Sequence, residues 1–287
     1  MKSDGSQSLV CTRLRDVLFV TINRPQARNA LNAEVVGAIA QVARDAGSDT
    51  ALRAIVLRGA NGFFCAGGDV SDFKRRLDEV SAREDPVALR NRAFGAFMET
   101  VVSIPVPLVA VVEGAALGGG MGLACMSDIV LATAQARFSL TETSLGVVPA
   151  QIMPFVVGRI GAVRARRMGL SAERVEGEQA MQLGIVDALA DGTDALEALL
   201  ADWLTRIGRC APNANRVMKT MAGEATEMVR GVFLDQAAHA FSRCMQDEGR
   251  VGIAAFRARE PAPWCVEFSA ADIRAVYVGQ GTHGASA

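Results

Sequence analysis

Three short stretches of this 287-residue sequence combine glycines, small residues and one isolated carboxylate in patterns suited to holding a negative charge and moving a proton. The first is Phe63-Phe64-Cys65-Ala66-Gly67-Gly68-Asp69-Val70. Small residues let a ligand approach the main chain, glycine supports unusual dihedrals, and a free amide at such a turn can point at a developing anion. The second is Glu113-Gly114-Ala115-Ala116-Leu117-Gly118-Gly119-Gly120-Met121-Gly122-Leu123-Ala124, where consecutive glycines open a segment that reads as helix through Met126. A helix N-terminus presents unpaired amides and the positive end of the dipole, which together favour an anion. The third is Phe138-Ser139-Leu140-Thr141-Glu142-Thr143-Ser144-Leu145-Gly146-Val147-Val148-Pro149, in which Glu142 stands among apolar and small residues. Burial there would raise its pKa into the range of a general acid or base. Each stretch also has a plainer reading that its residues leave open: a tight strand-to-helix turn, close packing of a helix on a sheet, and a capping carboxylate.

Other chemistries fail on composition or spacing. A dinucleotide fingerprint beginning at Gly118 needs glycine where Leu123 stands, and no Gly-Lys-Ser/Thr exists to make a phosphate loop. The only histidines are His239, in a helical pattern, and His283, in a Gly/Ser/Ala-rich tail. A Ser-His-Asp triad or a histidine-ligated metal site is therefore not expected, and carboxylates and amides must do the work. The six cysteines (Cys11, Cys65, Cys125, Cys210, Cys244, Cys265) show no CxxC or zinc-like spacing and read as reduced, mostly buried thiols. Lys+Arg total 30 against Asp+Glu 31, and there are only one Tyr, two Trp and twelve Phe, so neither a nucleic-acid surface nor a basic membrane face is indicated. The apolar stretch at residues 104–126 contains Pro105, Pro107 and Glu113, which suits a buried strand and helix rather than a membrane span. With a polar N-terminus and no signal core, a cytoplasmic location is expected.

The elements that must carry these residues alternate. Val17-Leu18-Phe19-Val20-Thr21-Ile22 reads as a strand stopped by Asn23-Arg24-Pro25. Residues 29–47 show helical periodicity through Leu31, Val35, Val36 and Ile39. Further strands are predicted at residues 54–58, 106–113 and 129–132, with a polar, partly helical and mobile segment at residues 71–92. Strands alternating with helices predict an α/β architecture with a largely parallel sheet. From about Asp194 helix follows helix, and periodicity is lost after Trp264. The chain divides on this reading into an N-terminal segment (1–16), a core (17–205), a C-terminal helical region (206–264) and a partly disordered tail (265–287).

Taken together and in order, the motifs resemble the enoyl-CoA hydratase/isomerase (crotonase) superfamily over residues 18–264. The resemblance includes Asn23-Arg24-Pro25 with Arg28-Asn29-Ala30-Leu31, Ala66-Gly67-Gly68-Asp69, Gly114-Ala115-Ala116-Leu117-Gly118-Gly119-Gly120, Ser127-Asp128-Ile129 and Ala254-Ala255-Phe256-Arg257-Ala258-Arg259. It implies a crotonase-like ββα spiral core with a C-terminal helical region, assembled as a homotrimer or a dimer of trimers. It implies an acyl-CoA substrate, with coenzyme A entering as part of that substrate and no separate cofactor or metal. Gly68 and Gly119 match the two amide donors to a thioester oxyanion. Ala27, Arg28, Ala66, Asp69, Val70 and Leu117 match the substrate and coenzyme A site, and Phe256 and Arg259 match positions near the adenine.

One position departs from the pattern. Two-carboxylate hydratases of this family carry a first Glu shortly after the glycine triplet and a second about twenty residues on. Here the second is Glu142 and the first is Gly122. Three readings follow: hydration with Glu142 as the sole acid/base, a distal substrate carboxylate helping to fill the space at Gly122; isomerisation between Δ3 and Δ2 enoyl-CoA, which needs only one base; or a hydrolase or non-catalytic acyl-CoA binder. Residues 141–157, with Pro149-Ala150-Gln151-Ile152-Met153-Pro154-Phe155-Val156, are similar to bacterial hydratases of branched glutaconyl-CoA esters, the 3-methylglutaconyl-CoA and isohexenylglutaconyl-CoA hydratases, and tip the reading towards hydration. Residues 73–98 with Ile152, Met153 and Phe155 are expected to shape the pocket, and Lys74, Arg75, Arg76, Arg83, Arg90 and Arg92 there are chiefly a solvated face.

Overall fold

Buried parallel strands read as unbroken apolar runs because both faces are covered, and this chain has several. The computed structural model describes residues 7–69 and 85–280. In it β1 (Leu9–Leu14), β2 (Val17–Ile22), β3 (Ala54–Gly59), β4 (Leu108–Val112), β6 (Ile129–Thr133) and β9 (Ala188–Ala190) form one sheet in the order β1-β2-β3-β4-β6-β9. Only β1 runs antiparallel, as the first arm of a hairpin with β2. Every residue of β3 and β4 is buried.

A second, smaller layer stands beside the first. It consists of β5 (Ala115–Leu117), β7 (Arg137–Ser139) and β8 (Val175–Glu176), extended by single parallel bridges from Cys65 to Ala116 and from Leu31 to Gly68. The chain visits both layers in turn. β2, β3, β4 and β6 each lead to a second-layer position at Leu31, Cys65–Gly68, β5 and β7 respectively. Helices close the windings: α1 (Ala33–Ser48) after Leu31, α2 (Pro86–Val102) before β4, and α3 (Gly119–Met126) after β5. After β7 come α4 (Met153–Ile160), α5 (Ala162–Ser171) and α6 (Gly177–Leu183), the last between β8 and β9. The strands predicted at residues 17–22, 54–58, 106–113 and 129–132 and the helix predicted over residues 29–47 are present, with ends shifted by a few residues. The sequence reading did not anticipate β1 inside the N-terminal segment, nor the short β5, β7 and β8.

Helices α7 (Gly192–Arg209), α8 (Pro212–Glu227), α9 (Arg230–Gln246), α10 (Glu248–Ala258) and α11 (Ala270–Gly279) follow. Because α7 runs continuously through residues 205–206, no structural break falls at the expected domain boundary. The expectation of aperiodic chain after Trp264 is corrected at α11. Ser269 and Asp272 make a capping box that starts this helix, and its Ile273, Val276 and Tyr277 are buried against the sheet with Leu196, Leu200 and Leu204 of α7. Ten residues with a three-residue apolar stripe are too few to announce themselves by periodicity. Residues 70–84 and 281–287, which include Val70, Lys74, Arg75, Arg76, Arg83, His283 and most of the segment expected to be mobile, lie outside the described residues.

Among the described residues no helix is long and apolar enough to cross a membrane. Cys65 and Cys125 are buried, but Cys11 and Cys210 are exposed and Cys244 and Cys265 intermediate, so the expectation of mostly buried thiols holds for only part of the set.

Candidate active site

Two backbone segments approach each other without side chains between them. The Cys65 amide donates to Ala115 O and the Leu117 amide to Cys65 O, each at 3.0 Å, which locks the loop after β3 to β5. A β-carbon on Gly120 would stand 2.5 Å from Cys65 O, and one on Gly67 would stand 2.8 Å from Leu117 O. Gly67 also has φ 97°, a conformation that glycine adopts without penalty. Glycine is thus required because main chain packs on main chain.

That packing brings the two amides of interest together. The point a β-carbon on Gly119 would occupy lies 3.7 Å from Gly68 N, and the corresponding point on Gly67 lies 3.5 Å from Gly119 N. Gly119 is the first residue of α3, where no intrahelical acceptor exists. Among the described residues neither the Gly68 nor the Gly119 amide has a hydrogen-bond acceptor. Two adjacent unpaired donors, one at a helix N-terminus, can stabilise an oxygen anion placed between them.

Glu142 arrives from β7 in a short 3-10 turn, Glu142–Leu145, which Gly146 ends in the left-handed region at φ 76°. Ser139 O accepts the Gly118 amide at 3.0 Å and so anchors β7 to the start of α3. Glu142 Oε1 then lies 2.9 Å from the point a β-carbon on Gly118 would take. Its Oε2 is buried and has no hydrogen-bond partner. Burial raises the carboxyl pKa above its ordinary 4.5, against a smaller opposing contribution from a hydrogen bond to its own main chain. An unpaired carboxylate oxygen beside the amide pair is free to exchange a proton with a bound molecule. Cys65, although adjacent, is no nucleophile here: burial pushes its thiol up to about 12.

Gly122 lies one helical turn from Gly118, and its surroundings are apolar. A β-carbon there would meet Ile152 Cγ2 at 2.5 Å, Ile152 Cβ at 2.9 Å and Met98 Cε at 3.1 Å. The idea that a distal substrate carboxylate fills this space is therefore corrected: two hydrocarbon side chains already occupy it. Phe94, one turn before Met98 on α2, stands 3.5 Å from the β-carbon point of Gly119, opposite Leu31 at 3.3 Å.

The remaining expected site residues separate into those at the loop after β3 and those on the C-terminal helices. Ala27 ends a 3-10 turn, Pro25–Ala27, and Arg28 follows with an exposed side chain at φ 48°. Arg28 O accepts the Ala66 amide at 3.0 Å, so Ala27, Arg28, Ala66 and Leu117 border one loop cluster. Asp69 also lies there, in an ion pair with Arg24 at 2.9 Å, while Arg24 Nη1 donates to Ala30 O at 2.6 Å. This pair joins the loops before α1 and after β3. Phe256 is 83 % exposed on α10 and Arg259 caps that helix, so both lie on the C-terminal helices. Arg92 pairs with Glu99 on the exposed face of α2, in keeping with a solvated face. His239 is exposed on α9, and among the described residues no group of metal-ligating side chains occurs.

Sequence reasoning missed the support beneath the loops. Arg58 at the end of β3 and Glu113 just beyond β4 are buried and form an ion pair at 2.6 Å, with Glu113 Oε1 also accepting Thr193 Oγ1 at 2.7 Å. Arg58 lies 4.1 Å over the Tyr277 ring, and burial pushes that phenol up to about 12. Opposite charges at the C-terminal ends of two apolar strands were the available signal. Asn29, fully buried at φ 55°, adds a second tie by donating to Ala60 O at 3.0 Å and Phe63 O at 2.5 Å.

Comparison with known proteins shows the family and the fold. Residues 13–266 match the enoyl-CoA hydratase/isomerase family. The chain is 32% identical over 250 residues to 2,3-dehydroadipyl-CoA hydratase of Escherichia coli (strain K12), covering 86% of this chain and 94% of that one. It is 28% identical over 257 residues to the mitochondrial methylglutaconyl-CoA hydratase of Rattus norvegicus, covering 86% and 78%. Pseudomonas aeruginosa AtuE superposes with a TM-score of 0.86 at 44% identity, over 90% of this chain and 100% of that chain. The two-layered winding of strands with its C-terminal helices is thus the crotonase fold. The chain belongs to the enoyl-CoA hydratase/isomerase family.

Proposed function

We propose that this protein adds water reversibly across the α,β-double bond of an acyl-CoA, with Glu142 as its only protein acid/base. The observation that carries this reading is the buried Oε2 of Glu142, without a partner, beside two unpaired amides. The Gly68 and Gly119 amides hold the thioester oxygen as it gains negative charge, an interaction typically worth about 2.7–4 kcal/mol per donor. Glu142 takes a proton from water as the water oxygen bonds to C3. The enolate then collapses, C2 takes a proton from the Glu142 carboxyl, and the carboxylate is restored. The product has gained one water and nothing else is consumed.

A glutaconyl-type acyl group is the substrate this reading favours. Its support is the likeness of residues 141–157 to hydratases of that class, together with the 28% identity to a methylglutaconyl-CoA hydratase. Coenzyme A runs past Ala27, Arg28, Ala66 and Leu117, with the exposed Arg28 guanidinium available to a phosphate. Phe256 and Arg259 serve the adenine end. Exposed Val229, Val232, Leu234, Phe241 and Phe256 on α9, α10 and the turn before them support assembly as a homotrimer or a dimer of trimers.

One observation favours a second reading. Ile152 and Met98 leave no room for a carboxylate at position 122, and a single base is enough to move a proton between C4 and C2. The two reactions separate when the enzyme is given a 2-enoyl-CoA and a 3-enoyl-CoA in turn. Hydration predicts 3-hydroxyacyl-CoA from the 2-enoyl substrate faster than any conjugated product from the 3-enoyl substrate. The opposite order would assign the enzyme as an isomerase, and stoichiometric binding without either product would make it a binder.

A further inference from the structure

Gly119 and Gly122 lie three residues apart on one face of α3, and Gly118 caps its start. Gly118 meets the Glu142 carboxylate, Gly119 meets the Gly68 amide, and Gly122 meets Ile152. At ~1.5 Å rise per residue, Gly122 stands roughly 6 Å along the axis from Gly118. A carboxylate rooted there would reach the same bound molecule as Glu142.

Ile152 is held firmly in the way. Its side chain is 3% exposed, and Met98 behind it is fully buried. Its carbonyl accepts the Phe155 and Val156 amides at 3.1 Å as α4 begins. The preceding Gln151 donates to Asn91 of α2 at 2.9 Å and lies against Gly95, where a β-carbon would collide with it. Helix α2 and the turn before α4 thus clamp Ile152 onto Gly122, and a β-branched side chain has few rotamers with which to withdraw.

Resting on the acyl-CoA reading above, we propose that Ile152 is a reaction-determining residue. Its Cγ2 methyl excludes any side chain from position 122 and so restricts this site to one carboxylate. Gly122 and Ile152 therefore form an interlocked pair, in which a larger residue at 122 is admitted only when 152 is cut back. With Ile152 trimmed, a glutamate at 122 shares the reacting water with Glu142: one carboxylate accepts the water proton as oxygen bonds to C3, and the other delivers the proton to C2.

The test is a double-variant cycle on the full chain, using G122A, I152A, G122A/I152A, G122E and G122E/I152A. Unfolding midpoints read the interlock without requiring turnover. G122A is expected to lower the midpoint, and less so in the I152A background. A G122A midpoint equal to wild type, or a loss independent of residue 152, overturns the interlock. Product ratios read the chemistry. G122E/I152A should raise the ratio of hydration to double-bond migration by about tenfold or more, within the span that one acid/base group supplies, and add a second ionisation to its pH-rate profile. A folded G122E/I152A with the wild-type ratio and profile, or a G122E single variant that gains as much, overturns the assignment. Absence of both products in wild type would instead remove the catalytic reading above, and the midpoints would still decide the interlock.

Discussion

Glu142 Oε1 lies 2.9 Å from the point a β-carbon on Gly118 would occupy. The carboxylate rests on bare main chain, at the residue that caps helix α3 and directly precedes Gly119. Gly118 itself has φ 48° and ψ −116°. Position 118 therefore requires glycine twice over, for its backbone and for the carboxylate packed on it.

Gly118→Ala should displace Glu142 without removing it. The expected outcome is a loss of kcat with acyl-CoA binding less affected, since the added methyl competes with Oε1 and not with the amides of Gly68 and Gly119. Steady-state kinetics beside calorimetric binding of a saturated acyl-CoA would check this. A variant with wild-type kcat would show that the carboxylate position is unimportant.

The raised pKa of Glu142 has two consequences of determined sign. Glu142 must be ionised to accept a proton, so kcat/KM should fall as pH drops through a value above the ordinary 4.5. Ionising it in its buried position also opposes folding, because the folded-state pKa exceeds the unfolded one. Glu142→Gln should accordingly be more stable than wild type at pH 8, with the difference vanishing as pH falls below 4.5. Thermal midpoints of both proteins across that range would show it, and a pH-independent difference would contradict a raised pKa.

Beneath the loops, Glu113→Ala should leave the Arg58 guanidinium buried without its close partner, facing only the Glu197 carboxylate at 4.0 Å. Breaking a buried ion pair in this way typically costs about 3–5 kcal/mol. Replacing both partners, as in Arg58→Met with Glu113→Leu, should cost less than either single change. Urea denaturation of Arg58→Met, Glu113→Leu and the double variant measures this, and additive losses would mean that the pair is not coupled.

Much of this arrangement was legible in residue types. Mostly apolar runs at residues 17–22, 54–58 and 106–113 announced buried parallel strands, because burial on both faces leaves few polar positions. Gly67, Gly68 and the triplet from Gly118 announced close main-chain approach, and Glu142 stood out as a carboxylate among small residues. The interlock at Gly122 was not legible, since Ile152 lies thirty residues away and nothing local to either position records the contact. Helix α11 escaped for a related reason: beyond its capping box it is held by Tyr277 packing edge-on to Phe19, with ring centroids 5.9 Å apart, a long-range contact that leaves no local periodicity.

The role of Glu142 is tested most directly by hydration of a 2-enoyl-CoA by Glu142→Gln, measured beside the affinity for a saturated acyl-CoA. Turnover is expected to fall by about 10²–10⁴, the range for loss of a general acid/base, with affinity nearly unchanged because the amide donors are intact. Hydration at the wild-type rate by a folded Glu142→Gln protein would contradict that role.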